Sequence, residues 1–211
     1  GGDGDQTING GRSDDVIYGD NMGSHDENGD WTETHTQDGN DRIYAGAGDD
    51  FVVGGGGDDF IDAGTGADLV YGGAGNDTII AGNSETDGSW SQDSKVYGED
   101  GNDTIYSHAV LNDDGTINET ESQKYLGGDI ANGRNYLYGG DGDDKIYANG
   151  YSDVVDAGAG NDKVHVYTKY GNWLDGSQTE ITLGAGNDEL YAHGEGQINV
   201  RTNSGNNTVD L

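Results

Sequence analysis

The chain has no cysteine in 211 residues, so it has no disulfide framework and no thiolate metal centre. That absence suits an extracellular chain held together by other means, and by itself it does not separate the extracellular from the cytosolic setting. Cations are scarce: nine Lys and Arg stand against 41 Asp and Glu, a formal net charge of −32. Such a balance argues against nucleic acid and anionic membrane as direct partners. Apolar residues make up only 30% of the chain, nearer to a disordered composition than to a globular one, and no apolar run reaches membrane-spanning length. Catalytic signatures are missing as well. There is no G-x-S-x-G nucleophile elbow and no H-E-x-x-H zinc motif, and the many carboxylates form no isolated pair. These absences predict a chain that is not an enzyme.

What the chain has instead is repetition. From Asp38 to Ile80 it reads DGNDRIY, AGAGDDFVV, GGGGDDFID, AGTGADLVY, GGAGNDTII, a nine-residue unit five times over. A fixed short period outranks any local helix or strand assignment, because each unit is one element that buries nothing alone. The sixth residue is Asp (Asp41, Asp50, Asp59, Asp68, Asp77) and the eighth is aliphatic (Ile43, Val52, Ile61, Val70, Ile79). Glycine at the first, second and fourth positions lets a six-residue turn take positive φ and brings backbone carbonyls together. The last three residues of each unit are expected to form a short inward-facing strand.

This pattern resembles the RTX (repeats-in-toxin) family, whose calcium-binding nonapeptide has the consensus G-G-x-G-x-D-x-U-x, with U aliphatic. The resemblance implies an all-β, right-handed parallel β-roll in which two units make one turn and calcium sits between turns stacked on the same side. It implies ligands of two kinds. The carboxylates are Asp15, Asp41, Asp50, Asp59, Asp68, Asp77, Asp103, Asp144, Asp153, Asp162 and Asp188. The carbonyls come from the turns Gly54, Gly55, Gly56, Gly57, then Gly72, Gly73, Ala74, Gly75, then Gly139, Gly140, Asp141, Gly142, and Ala157, Gly158, Ala159, Gly160. All are hard oxygen donors of the kind that suits Ca²⁺. Carboxylates stacked about 4.8 Å apart repel by roughly 3 kcal/mol per pair at an effective dielectric near 20. A divalent cation reverses that sign, so the metal-free chain is expected to be largely unfolded and calcium binding to be coupled to folding. The resemblance further implies a secreted bacterial protein, extracellular or at the cell surface, exported by a type I system. The chain begins in phase with a repeat and carries no initiator Met or signal peptide, so it reads as part of something longer.

Taken in order, the chain forms a single repeat domain over 1–211 with inserts at 19–35, 81–97, 107–138 and 166–182 and a degenerate cap at 192–211. Three of the inserts separate aspartates by the same 26 residues: Asp15 from Asp41, Asp77 from Asp103, and Asp162 from Asp188. This equals one regular unit plus a 17-residue unit, and the third insert gives 41, one regular unit plus 32. Each insert is therefore expected to be a unit with an expanded turn and a surviving strand, with Thr34, Val96, Leu137 and Ile181 facing inward. Units total about eighteen, and the expanded ones are all odd-numbered, which places all four inserts on one flank. The other flank is then a ladder of Asp15, Asp41, Asp59, Asp77, Asp103, Asp144, Asp162 and Asp188 with up to seven ions. The insert flank keeps Asp50, Asp68 and Asp153 and room for one more, about 7–8 ions in all. Near the end, Gln197 and Asn206 stand close to the aspartate position, with Ile198 and Val209 as the plausible core residues.

The inserts hold all three Trp (Trp31, Trp90, Trp173) and His25, His35 and His108. Packing of inserts over the outward patch Phe51, Val53, Leu69 and Tyr71 is the favoured reading, ahead of glycan or protein binding there. A ninth-position stripe of Tyr18, Tyr44, Tyr106, Tyr147 and Tyr191 is read as cross-strand pairing rather than a sugar platform. An EF-hand-like run at Asn112, Asp114, Gly115, Ile117 and Glu121 has Val110 where the first ligand belongs, and reads as a solvated loop. Two further functional readings stay open: an adhesin or surface-layer module binding glycan or protein through its insert flank, and the non-catalytic module of a secreted enzyme. Open strand edges at both ends make end-to-end or lateral self-association a further expectation.

Overall fold

The computed structural model describes residues 4–20, 24–25, 31–32, 39–82, 93–112, 114–118, 122, 134–149, 152–168, 178–194 and 197–211. The strands, in chain order, are β1 (Thr7–Gly11), β2 (Val16–Tyr18), β3 (Ser24–His25), β4 (Trp31–Thr32), β5 (Arg42–Ala47), β6 (Phe51–Gly56), β7 (Phe60–Thr65), β8 (Leu69–Ala74) and β9 (Thr78–Ile80). They continue as β10 (Lys95–Asp100), β11 (Thr104–Tyr106), β12 (Tyr136–Asp141), β13 (Lys145–Ala148), β14 (Val154–Ala159) and β15 (Lys163–Thr168). The last four are β16 (Thr179–Thr182), β17 (Glu189–Gly194), β18 (Ile198–Arg201) and β19 (Thr208–Asp210).

Alternate strands assemble into two parallel sheets, so the chain is a parallel β-roll. The nine-stranded sheet runs β1-β5-β7-β9-β11-β13-β15-β17-β19 and the eight-stranded one β18-β16-β14-β12-β10-β8-β6-β2. The register puts each eighth-position residue beside the next, Ile43 beside Ile61 and Val52 beside Val70. The core is thus one column of aliphatics per sheet, with Ile43, Val52, Ile61, Val70, Ile79, Val96, Ile105, Leu137, Ile146 and Leu190 fully buried.

Most strands are longer than the three residues expected, because they run on into the first three positions of the next unit, as in Arg42–Ala47. Continued alternation then turns the first position inward too. Where that residue is not glycine it joins the core: Ala45, Ala63, Ala81, Ala148, Ala157, Val166 and Leu183. A period of two carried past the unit boundary was the signal for this.

Pairing corrects the account of the first insert. Ile17 pairs directly with Val52 and Ile8 with Ile43, so no rung lies between them for Thr34, which itself falls outside the described residues. Asp15 therefore belongs to the other flank: its backbone N–H donates to Asp50 Oδ1, 35 residues on. A 26-residue gap is ambiguous in sequence, since it fits either an ordinary unit plus an expanded one or a single unit with an insertion. The gaps at Asp77–Asp103 and Asp162–Asp188 are of the first kind, with Val96 and Ile181 in the core as expected, and the first insert is of the second kind. Consequently the first insert leaves on the turn from the eight-stranded into the nine-stranded sheet, and the other three on the opposite turns, not all four on one flank. Asp20 closes its neck, with Oδ1 accepting from Gly39 N–H and Oδ2 from Gly56 N–H. Within it, β3 and β4 pair antiparallel.

At the far end the repeat continues as strands β18 and β19. Val200, not Ile198, pairs with the core residue Ile181, and Asn207, not Asn206, takes the aspartate position. The turn between β17 and β18 is one residue longer than the standard, and a single added residue moves the phase of everything after it. Val209 is in register with Leu190 but remains 40% exposed on the last strand.

Candidate metal centre

Each turn places its aspartate at the entry to a strand, where the backbone is already fixed by the sheet. On the flank that feeds the nine-stranded sheet, each carboxylate reaches back one coil and accepts the backbone N–H of the preceding aspartate through Oδ1. The chain of bonds runs Asp41 to Asp59 at 2.7 Å, Asp59 to Asp77 and Asp77 to Asp103 at 2.8 Å, Asp103 to Asp144 at 2.8 Å, Asp144 to Asp162 at 2.9 Å, and Asp162 to Asp188 at 3.1 Å. Gln6 donates to Asp41 at one end and Asn207 accepts from Asp188 at the other.

One oxygen of each carboxylate is thereby used, and the other is not. Oδ2 of Asp41, Asp59, Asp77, Asp103, Asp144, Asp162 and Asp188 is buried with no hydrogen-bond partner, as is Oδ2 of Asp15, Asp50 and Asp68 on the other flank. A buried, unpartnered carboxylate oxygen is costly. Here it recurs at every rung.

Close beside that oxygen lies the first glycine of several units. A Cβ built on Gly54 would collide with Asp59 Oδ2 and the Gly72 carbonyl oxygen; on Gly72, with Asp77 Oδ2 and the Gly98 oxygen. Gly98 and Gly139 repeat the arrangement with Asp103 and Asp144. These first-position glycines do not have positive φ, contrary to expectation; a carboxylate and a carbonyl oxygen converge on each Cα, while at the coils of Asp162 and Asp188 the same position carries Ala157 and Leu183. Positive φ is kept for the second and fourth positions, such as Gly55 (121°) and Gly57 (98°). Their carbonyls in turn press on the next coil, Gly55 O against Gly73 and Gly57 O against Gly75. The third-position carbonyls of Ala74, Asp141 and Ala159 accept the N–H of Gly57, Gly101 and Gly142.

Burial pushes these carboxyls up against the opposing pull of the backbone N–H bonds, and neighbouring carboxylates add to the rise. Asp59 is raised to about 7, Asp77 to about 8, Asp103 to about 6, Asp144 to about 7 and Asp162 to about 6, with Asp41 raised too. Among the described residues, no three His, Cys, Asp or Glu side chains come together as a metal-binding group. The donor set is therefore at most two carboxylates per interval completed by backbone oxygens. That composition fits a hard divalent cation and excludes a thiolate or imidazole centre here.

The opposite flank begins alike and then changes. Asp15 donates to Asp50 at 2.7 Å and Asp50 to Asp68 at 2.9 Å, and Asp68 is raised to about 7 by burial. Asp68 N–H then donates to Ser94 Oγ, Ser94 N–H to Asn135 Oδ1, and Asn135 N–H to Asp153 Oδ1. Thr179 holds the next position, across from Asp153. Asp153 is fully buried but has no carboxylate neighbour on its ladder. Neither Ser94 nor Asn135 was singled out in the sequence.

A second ladder runs outside the first. Fifth-position Asp5, Asn40, Asp58, Asn76, Asn102, Asp143, Asn161 and Asn187 each accept the N–H of the next through Oδ1, and the ladder ends at Asn206, which donates to Asn187. Read along the chain this position looks irregular, because alternate units belong to different flanks.

The outward aromatics are satisfied by one another. Tyr106, Tyr147, His165 and Tyr191 stack with centroids 4.6, 5.0 and 5.2 Å apart, and Tyr71, Tyr97 and Tyr138 at 5.0 and 4.7 Å on the other sheet. Stacked rings cover each other's faces, which supports cross-strand pairing over a sugar platform. Tyr18 is not in the first stripe but lies edge-on to Phe51 on the eight-stranded sheet. Asp114 bonds the N–H and hydroxyl of Thr116 in a hairpin turn closed by the Leu111–Ile117 bridge, an arrangement unlike a calcium loop; Glu121 lies outside the described residues. Trp90, Trp173 and His35 are likewise outside them, and His108 is buried and held below its usual pKa by that burial.

A parallel roll with an unbroken ladder of aspartates and close carbonyls along one flank defines a class of repeat protein that gathers hard cations there. Residues 1–21, 35–61, 53–84, 91–109 and 130–165 match the model of the RTX calcium-binding nonapeptide repeat, more than half of the chain, and the chain belongs to that family. No curated protein matches it.

Proposed function

We propose that the chain is a structural calcium module of an exported protein, and that it folds as it takes up the metal. Supporting this is the recurring buried Oδ2 without a partner, together with the carbonyl beside it. The ions lie between successive rungs, held by the free oxygens of Asp41, Asp59, Asp77, Asp103, Asp144, Asp162 and Asp188 and by turn carbonyls such as those of Gly54, Gly72, Gly98 and Gly139. Seven stacked aspartates make six intervals, and Asp15, Asp50 and Asp68 make two more, for about eight ions. The metal's role is to neutralise carboxylates that burial would otherwise protonate, so this segment does no chemistry of its own. RTX repeats occur in secreted bacterial proteins, which supports an extracellular or cell-surface setting where calcium is plentiful. Equilibrium dialysis with radiolabelled calcium tests the assignment. About eight ions per chain are expected, with fewer in Asp59→Asn/Asp77→Asn; a count unchanged by that double substitution overturns the ladder as the binding site.

A further inference from the structure

The third insert does something the repeat does not require. Its first part, of which residues 107–112 and 114–118 with Ser122 are described, folds back over the outer face of the nine-stranded sheet. Ile80, Tyr106 and Ala109 form a second buried cluster there, with Phe60, Leu111, Ile117 and Tyr147 packed against it. Ile80, Phe60, Tyr106 and Tyr147 come from β9, β7, β11 and β13, four successive strands of that sheet. A fifth strand is reached from the tip of the hairpin. Arg42 of β5 donates to the carbonyl of Gly115 while its guanidinium lies 4.0 Å from the centre of the Phe60 ring.

The base of the insert is fastened by neutral side chains. Asn149, just after β13, accepts from Ser107 Oγ through Oδ1 at 2.6 Å, and its Nδ2 donates to the carbonyls of His108 at 2.8 Å and Ser122 at 3.4 Å. Asn135 Nδ2 donates to the Ser107 carbonyl at 3.2 Å, and Asn135 is also the rung that replaces an aspartate on that flank. Thus the flank loses its stacked carboxylates at the coils where the insert is anchored.

We propose that the described part of this insert, residues 107–112 and 114–118 with Ser122, is a metal-independent clasp, joining β5 through β13 directly where the repeat otherwise couples each coil only to its neighbours. A solenoid held by nearest-neighbour contacts opens piecemeal from its ends. A clasp across five strands makes them open together, through apolar contact, the Arg42 guanidinium and neutral hydrogen bonds, none of which needs a metal ion.

The test is amide hydrogen exchange on the full chain in saturating calcium, with bound calcium counted on the same samples. Arg42→Ala/Ile117→Ser should lower protection of Arg42–Ala47 and Lys145–Ala148 together by about tenfold or more, leave Glu189–Gly194 unchanged, and leave the calcium count at its wild-type value. Asn149→Ala, a milder change at the base, should give the same pattern at smaller amplitude and serves if the double variant does not fold. Loss of protection confined to 107–118, or a lower calcium count in Asn149→Ala, overturns the clasp. Asp77→Asn is the separate control: a calcium count that it does not change counts against the calcium ladder and leaves the clasp result standing.

Discussion

The two flanks of the roll share a backbone and differ in what they bury. On one, seven aspartates in register each keep a buried oxygen without a partner. On the other, after Asp68 the same positions carry Ser94, Asn135, Asp153 and Thr179, so that Ser94 and Asn135 accept the ladder bonds as neutral groups and Asp153 stands without a neighbouring carboxylate. The geometry of the turn therefore does not itself demand a metal. Ser and Asn satisfy the preceding N–H as well as Asp does, with no charge left over, so the N–H bond alone does not account for the retained aspartates, and the proposed calcium ladder assigns a role to their second oxygen.

The contrast can be broken most widely by pH. Aspartates whose folded pKa values are raised hold protons that the unfolded chain releases near its ordinary value of 3.8. Between about pH 4 and pH 8 the metal-free fold thus binds more protons than the unfolded chain, and its stability falls as pH rises through that window. In calcium-free buffer, strand signal by far-UV circular dichroism should be strongest near about pH 4 and decline toward about pH 8. Protons stand in for the metal there, and calcium affinity should rise over the same range.

Single substitutions sharpen the comparison. Asp77→Ala in calcium should cost about 3–4 kcal/mol, the linkage lost with an ion at calcium a few hundred times its dissociation constant. Asn135→Ala should cost about 1 kcal/mol, the worth of neutral hydrogen bonds, with no change in bound calcium. Denaturant melts in saturating calcium measure both. Gly54→Ala should cost about 1–3 kcal/mol and weaken calcium binding, because the new methyl occupies the space beside Asp59 Oδ2. The smallest effect is expected for Asp153→Asn, within about 1 kcal/mol and without loss of an ion, since its ladder neighbours are uncharged and the amide oxygen still accepts from Asn135.

Much of this was legible in the sequence because the repeat writes its chemistry at fixed positions. The sixth-position aspartates, the eighth-position core and the surviving strands at Val96, Leu137 and Ile181 could be read directly. The flank of Asp15 could not, since 26 residues fit two arrangements and only the pairing of Ile17 with Val52 decides. Asn207 and Val200 were missed because one added residue shifts the phase. The roles of Ser94, Asn135 and Asn149 depend on partners 26 to 42 residues away and have no periodic signature. The described part of the third insert covers Phe60, Ile80, Tyr106 and Tyr147 on the nine-stranded sheet, and the expected cover of Phe51, Val53, Leu69 and Tyr71 by the neighbouring inserts falls outside the described residues.

The central claim is that the buried carboxylates make folding conditional on calcium, and a calcium titration at neutral pH followed by far-UV circular dichroism, with magnesium as control, tests it most directly. The account predicts little strand signal in chelator and a cooperative gain with calcium alone, complete at about eight ions per chain. Full strand structure in chelator at pH 7 would contradict it, and would mean that the aliphatic columns, the outer Asx ladder and the clasp hold the roll without the metal.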